Sequence, residues 1–234
     1  MKRTFSIILC LLLFFILSSF SFVETEGLSV GAFPKGHSLK LTKVWQENTN
    51  LERLFLFPEQ SFNVGEAVNS VEQISKLPPA TIQKLVDKNV KIKLFTGRLT
   101  DDPHTMHLRG VKPRGYTNNQ TTWDDVPGMG GNRIVFVKIG ATESGNGHGS
   151  INLELHELAH TIDTFAYNGI RDNNLFLIIW EQEVSGLFPD KAYYSTYPEE
   201  YFAETYAMFY ANSVSNKVLK EKAPRTYSFI KQLN

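Results

Sequence analysis

The chain has 234 residues, 42% of them hydrophobic, and its 24 basic side chains balance 24 acidic ones. That size and apolar fraction suit one globular domain with a sizeable core, and the even charge gives no electrostatic footprint for nucleic acid or an anionic membrane surface. Met1-Lys2-Arg3, an apolar run from Phe5 to Phe20 and small polar residues at Ser18, Ser19 and Ser21 read as a secretory signal peptide over residues 1–26. The run of about sixteen residues is short for a membrane span, with an uncleaved N-terminal anchor as the alternative. Cys10, the one cysteine, lies inside that run, so the mature chain forms no disulfide and has no cysteine nucleophile.

Residues 27–50 show a weak pattern with Pro34 and Gly36, which predicts a poorly ordered or loosely docked arm. Structure is expected from Leu51 onward. Residues 54–57 suggest a short buried strand, residues 65–77 a helix with Val68, Val71 and Ile74 inward, and Pro78-Pro79 a break that opens a second helix over residues 80–88. Residues 90–96 alternate apolar residues with lysine, as in a half-buried strand. Residues 97–131 are rich in glycine and proline, and a loop that long in a compact domain is usually functional. His104 and His107 read as loop histidines there, and Trp123 as either a lid over the core or a recognition surface. Residues 133–139 form a clean strand, on whose free edge an extended substrate could lie. The glycines at 145, 147 and 149 lack the register of a nucleotide-binding turn.

Residues 153–164, Leu-Glu-Leu-His-Glu-Leu-Ala-His-Thr-Ile-Asp-Thr, carry H-E-x-x-H in a helical apolar pattern. His156 and His160 are four apart and share a helix face, so both imidazoles can hold one zinc ion at about 2.0–2.1 Å. Glu157 then reaches the water, whose pKa zinc lowers to about 7, and takes its proton. Leu155, Leu158, Ala159, Ile162 and Phe165 form the core stripe opposite. After a helix from residue 175 to 183, Thr196 and Glu199 have the spacing of a capping box around Pro198. Glu200 and Glu204 share one face of that aromatic-rich helix, which assigns Glu200 as third zinc ligand and Glu204 as hydrogen-bond partner of a ligating histidine. One or two short helices broken at Pro224 complete the chain.

These motifs, together with Thr-Trp-Asp-Asp-Val-Pro-Gly-Met-Gly-Gly at 122–131, Tyr-Pro-Glu-Glu-Tyr-Phe-Ala-Glu at 197–204 and Thr-Tyr-Ser-Phe at 226–229, resemble the secreted bacterial Pro-Pro endopeptidases. Those are zinc proteases related in fold to the catalytic domain of anthrax lethal factor. The resemblance covers about residues 51–234 and implies an α+β, zincin-like metallopeptidase domain: a small mixed sheet, an active-site helix carrying H-E-x-x-H and a mainly helical C-terminal half. It implies one zinc per chain held by His156, His160 and Glu200, with Glu157 as general base and Tyr193 as oxyanion donor. It places Trp123, Gly130, Gly131 and Glu199 at the substrate. The partners it implies are proline-rich, cell-surface or secreted proteins, cut between two prolines by a secreted monomer with no stable membrane association. Thr121 stands where the compared family member has a basic residue that pairs with the first glutamate of Pro-Glu-Glu, so that pair to Glu199 is expected to be missing.

Two other readings keep the zinc. One is a toxin-like protease with a different single substrate. The other is a non-catalytic surface-binding module whose zinc is closed by a fourth protein ligand, His148 or Asp163.

Overall fold

The computed structural model describes residues 27–116 and 120–233. The expected signal peptide and Cys10 lie outside the described residues. Among them, no helix is long and apolar enough to cross a membrane.

Four strands make one mixed sheet: β1 (Phe55–Leu56), β2 (Lys91–Phe95), β3 (Gly128–Met129) and β4 (Ile134–Lys138), in the order β1-β2-β4-β3. β1, β2 and β4 run parallel, and β3 pairs antiparallel with β4. The crossover from β1 to β2 passes through α1 (Val64–Ser75) and α2 (Pro79–Asp87). Asn63 caps α1 by accepting from the Glu66 N–H, and Pro79 opens α2, where its missing N–H costs nothing. β4 then leads into α3 (Leu153–Thr161), which one π-helical turn (Ile162–Ala166) prolongs. The C-terminal half is helical: α4 (Asn174–Leu187), α5 (Ala192–Thr196), α6 (Pro198–Ala211), α7 (Ser213–Lys222) and α8 (Pro224–Gln232).

The pleat of the sheet assigns the cores. Ile92, Leu94, Val135 and Val137 face the main core, which α1, α2, α3 and α6 cover. Phe95 and Phe136 face the other side and, with Leu99, form a second small cluster under Trp123, Met129 and Ile134. β2 is therefore buried on both faces, not half-buried as its alternation suggests. The loop after it folds over the outer face and brings Asp102 within 2.5 Å of the Lys93 ammonium, which neutralises the buried lysine.

Two further expectations are corrected. Residues 27–50 are not a loose arm: Leu28 exchanges two backbone hydrogen bonds with Phe57, and Val30, Leu39, Val44 and Trp45 are buried in the main core. The segment docks because Trp45 packs edge-on to both Phe55 and Phe57 and donates its indole N–H to the Leu39 carbonyl. The capping box at Thr196 and Glu199 is also absent. Thr196 lies in the last turn of α5 and donates to the Ala192 carbonyl at 2.7 Å, so Tyr197 becomes the N-cap of α6 and Glu199 turns elsewhere.

Candidate active site

Asn152 starts α3 by accepting from the Leu155 N–H at 2.9 Å, which sets the helix in register with its two histidines one turn apart. α6 packs along α3 and brings Glu200 to them. The Glu200 Oε2 atom lies 3.4 Å from His156 Nε2 and 3.5 Å from His160 Nε2. Tetrahedral zinc with bonds of about 2.0–2.1 Å needs donor atoms about 3.3–3.4 Å apart, and both distances from Glu200 to the histidines match that span. These three residues are the metal-type cluster found among the described residues.

The hydrogen bonds around the triangle aim it. His156 Nδ1 faces Glu204 Oε2 at 3.0 Å, and the other Glu204 oxygen accepts the Ile151 N–H at 2.9 Å. A carboxylate on Nδ1 fixes the tautomer that leaves Nε2 free to ligate. Burial disfavours a charged His156 ring, yet the hydrogen bonds to Glu200 and Glu204 raise its pKa to about 10. Burial also disfavours an ionised Glu200, yet both histidines hold its carboxyl well below the ordinary range. Acids and imidazoles gathered this closely in the interior want a cation between them.

Glu157 is half-buried on the next position round the helix. Burial raises its pKa, opposed by both histidines, and the Gly130 N–H offers its carboxylate a hydrogen bond. β3 runs so close that a Cβ on Gly128 would lie 2.7 Å from the Glu157 Cγ, and one on Gly130 only 1.9 Å from the Glu157 carbonyl oxygen. Gly131, with a left-handed φ of +85°, donates its N–H to Thr161 Oγ1 at 3.1 Å. Both glycines predicted to meet substrate are thus placed against α3. The free edge differs from expectation: β4 is paired on both sides, and β3 is the edge strand.

Tyr193, in α5, sits beside Glu200, and burial followed by the Glu200 charge raises its pKa, so its phenol stays a neutral donor. Trp123 is half-buried on the outer cluster beside Met129, a lid over that cluster next to the edge strand. His148 and Asp163 are both engaged elsewhere. His148 bonds Ser150 Oγ and the Ala141 carbonyl, each at 2.7 Å, and Asp163 is fully buried against the Arg171 backbone and guanidinium. His104 pairs with Asp102 in the loop.

Sequence reasoning missed Arg114. Its Nη2 atom lies 2.9 Å from Glu199 Oε1 and 2.9 Å from Glu200 Oε1, with its guanidinium 4.1 Å over the Tyr197 ring. The cation expected to be missing at Thr121 is therefore supplied seven residues earlier. Only its place before Gly115 in a loop hinted at it, since no periodicity links residue 114 to 199.

The family described as Anthrax toxin lethal factor, N- and C-terminal domain, matches residues 42–233. A Pro-Pro endopeptidase of Paenibacillus alvei is 38% identical over 188 residues, covering 80% of this chain and 86% of that protein. The chain belongs to the Pro-Pro endopeptidase family. A second Pro-Pro endopeptidase, from Clostridioides difficile, is 37% identical over 204 residues, 87% of this chain and 92% of that protein. The solved structure of the Paenibacillus alvei Pro-Pro endopeptidase PPEP-2 superimposes with a TM-score of 0.75 at 37% identity, covering 79% of this chain and all of that one. Membership of the Pro-Pro endopeptidase family makes the chain an endopeptidase of the metalloprotease type, with a small mixed sheet and a mostly helical body.

Proposed function

We propose that the chain is a secreted, monomeric zinc metalloendopeptidase that hydrolyses the bond between two prolines in proline-rich surface or secreted proteins. The observation that carries this reading is the open triangle of His156, His160 and Glu200 with Glu157 beside it. Three protein ligands and a neighbouring carboxylate suit a catalytic site, whereas a structural site would be closed by a fourth ligand. Since His148 and Asp163 are both committed to other partners, neither supplies one. The signal-like residues 1–26 and the cysteine-free remainder support secretion.

When bound, zinc supplies a Lewis acid for the scissile carbonyl and acidifies the attacking water. Glu157 takes the proton from that water, a task suited to a carboxylate whose proton affinity burial raises. The Tyr193 hydroxyl donates to the oxyanion as charge develops. Glu157 then delivers its proton to the leaving proline nitrogen, which in the substrate has no N–H to give to an enzyme edge. The relatives' names supply the Pro-Pro specificity proposed for this chain.

The test is to incubate purified protein with a quenched peptide library carrying central Pro-Pro, Ala-Pro or Pro-Ala, and to identify products by mass. Cuts between the two prolines, abolished by a chelator and reduced about 10³-fold in Glu157→Ala, are expected. Chelator-sensitive cuts that ignore the second proline would overturn the specificity.

A further inference from the structure

We propose that Arg114 is a positioning residue that couples the long loop over the site to the metal-binding carboxylate, so that loop placement and metal affinity stand or fall together. The proposal rests on the zinc reading above. One nitrogen of its guanidinium reaches Glu199 and Glu200 at 2.9 Å each, and these two residues lie in the first turn of α6. The two oxygens of Glu200 are thereby divided: Oε1 belongs to Arg114, and Oε2 faces the two histidines.

That division has consequences for the site. Glu200 is almost fully buried, and a buried carboxylate oxygen without a donor is costly. With Oε1 occupied, the carboxylate is held for one-oxygen ligation, which keeps open the position a catalytic water needs. The same arginine lies on the Tyr197 ring at the start of α6, and Gly115 follows it against Tyr193, where a Cβ would meet the ring at 2.6 Å. The next residue, Tyr116, donates its hydroxyl to the Gly147 carbonyl at 3.1 Å, anchoring the loop to the segment that precedes α3. Residues 114–116 thus span from the ligand helix to the approach of the catalytic helix. A fixed cation near zinc also repels it, but Arg114 is about half exposed and solvent screens that charge, whereas the orientation it imposes acts on a buried group.

The experiment measures zinc affinity by competition with a chromophoric chelator, and kcat and KM on a Pro-Pro peptide, for wild type, Arg114→Ala, Arg114→Lys and Glu199→Gln. Circular dichroism establishes that each variant is folded, and Arg114→Gln replaces Arg114→Ala if the latter is not. Arg114→Ala should raise the zinc dissociation constant about ten-fold and also raise KM. Lysine, a point charge that still reaches Glu200, should restore most of the zinc affinity but not KM, because it lacks the plane that lies on Tyr197. Glu199→Gln should raise KM and leave zinc affinity within about two-fold of wild type. The proposal fails if Arg114→Ala binds zinc within about two-fold of wild type, or if Glu199→Gln loses as much zinc affinity as Arg114→Ala. Wild-type protein that binds zinc but cuts no Pro-Pro peptide would overturn the substrate reading alone, since the zinc arm still decides the role of Arg114.

Discussion

The side chains of the candidate site take their direction from their hydrogen-bond and ion-pair partners. Glu204 is the clearest case, with one oxygen on His156 and the other on the Ile151 N–H. Its replacement by alanine should lower zinc affinity by about 10- to 100-fold, read by chelator competition, with little change in helix content. Gly130 shows the opposite constraint, an absence of atoms that lets the edge strand lie on α3. Gly130→Ala would drive a methyl into the Glu157 carbonyl, and urea unfolding should show a loss of about 3 kcal/mol together with lost cleavage. The metal-type residues were legible in the sequence because helical spacing puts His156 with His160 and Glu200 with Glu204. Arg114 was not, because its partners lie 85 and 86 residues away and nothing local marks the contact.

At the scale of elements, periodicity located β1, β2, β4 and the long helices to within a few residues, and what it missed was the two-residue β3 inside the glycine-rich loop and the chemistry between elements. The carboxylate of Glu183, near the end of α4, is the example. It accepts from the backbone N–H groups of Arg225 and Thr226 and from the Thr226 hydroxyl, all at 2.8 Å, and so caps α8 from another helix. Tyr201 closes the group by bonding Thr226 at 2.8 Å, which explains the Thr-Tyr-Ser-Phe motif as a docking point of the last helix. Glu183→Ala leaves buried donors unpaired and should cost about 2–3 kcal/mol in urea unfolding, with zinc affinity unchanged. The arm at residues 27–50 was misread for a related reason. Its anchor is a cluster of rings from β1 and its flank, and single-turn helices carry no period to detect.

Across the whole molecule, the mixed sheet and the mainly helical C-terminal half follow from the order of the motifs. The burial of Lys93 does not, because lysine in an alternating strand reads as solvent-facing. Its partner Asp102 gives the fold a pH dependence. Burial pushes the Asp102 carboxyl up, but the Lys93 ammonium and the His104 backbone and ring outweigh it and hold the pKa below 3.8. A depressed acid stabilises the fold fully above its unfolded pKa and loses that contribution as pH falls through the folded one. The stability gap between wild type and Asp102→Asn, followed by urea unfolding, should therefore be widest near neutrality and close as pH drops below about 4. A gap that stays constant down to pH 2 would mean that the ion pair does not contribute.

β3 is two residues long, and that brevity limits what it can hold. An incoming chain laid along it finds one or two rungs of main-chain hydrogen bonding, too few to retain a flexible polypeptide through contacts that every sequence shares. Ordinary surface loops, including the enzyme's own, would therefore be released before hydrolysis. Residence must come from side-chain shape, and a stiff, pre-bent guest loses little conformational freedom on docking. A proteolytic site with so short a ladder therefore selects among the chains it meets by their shape and stiffness, whatever proteins surround it.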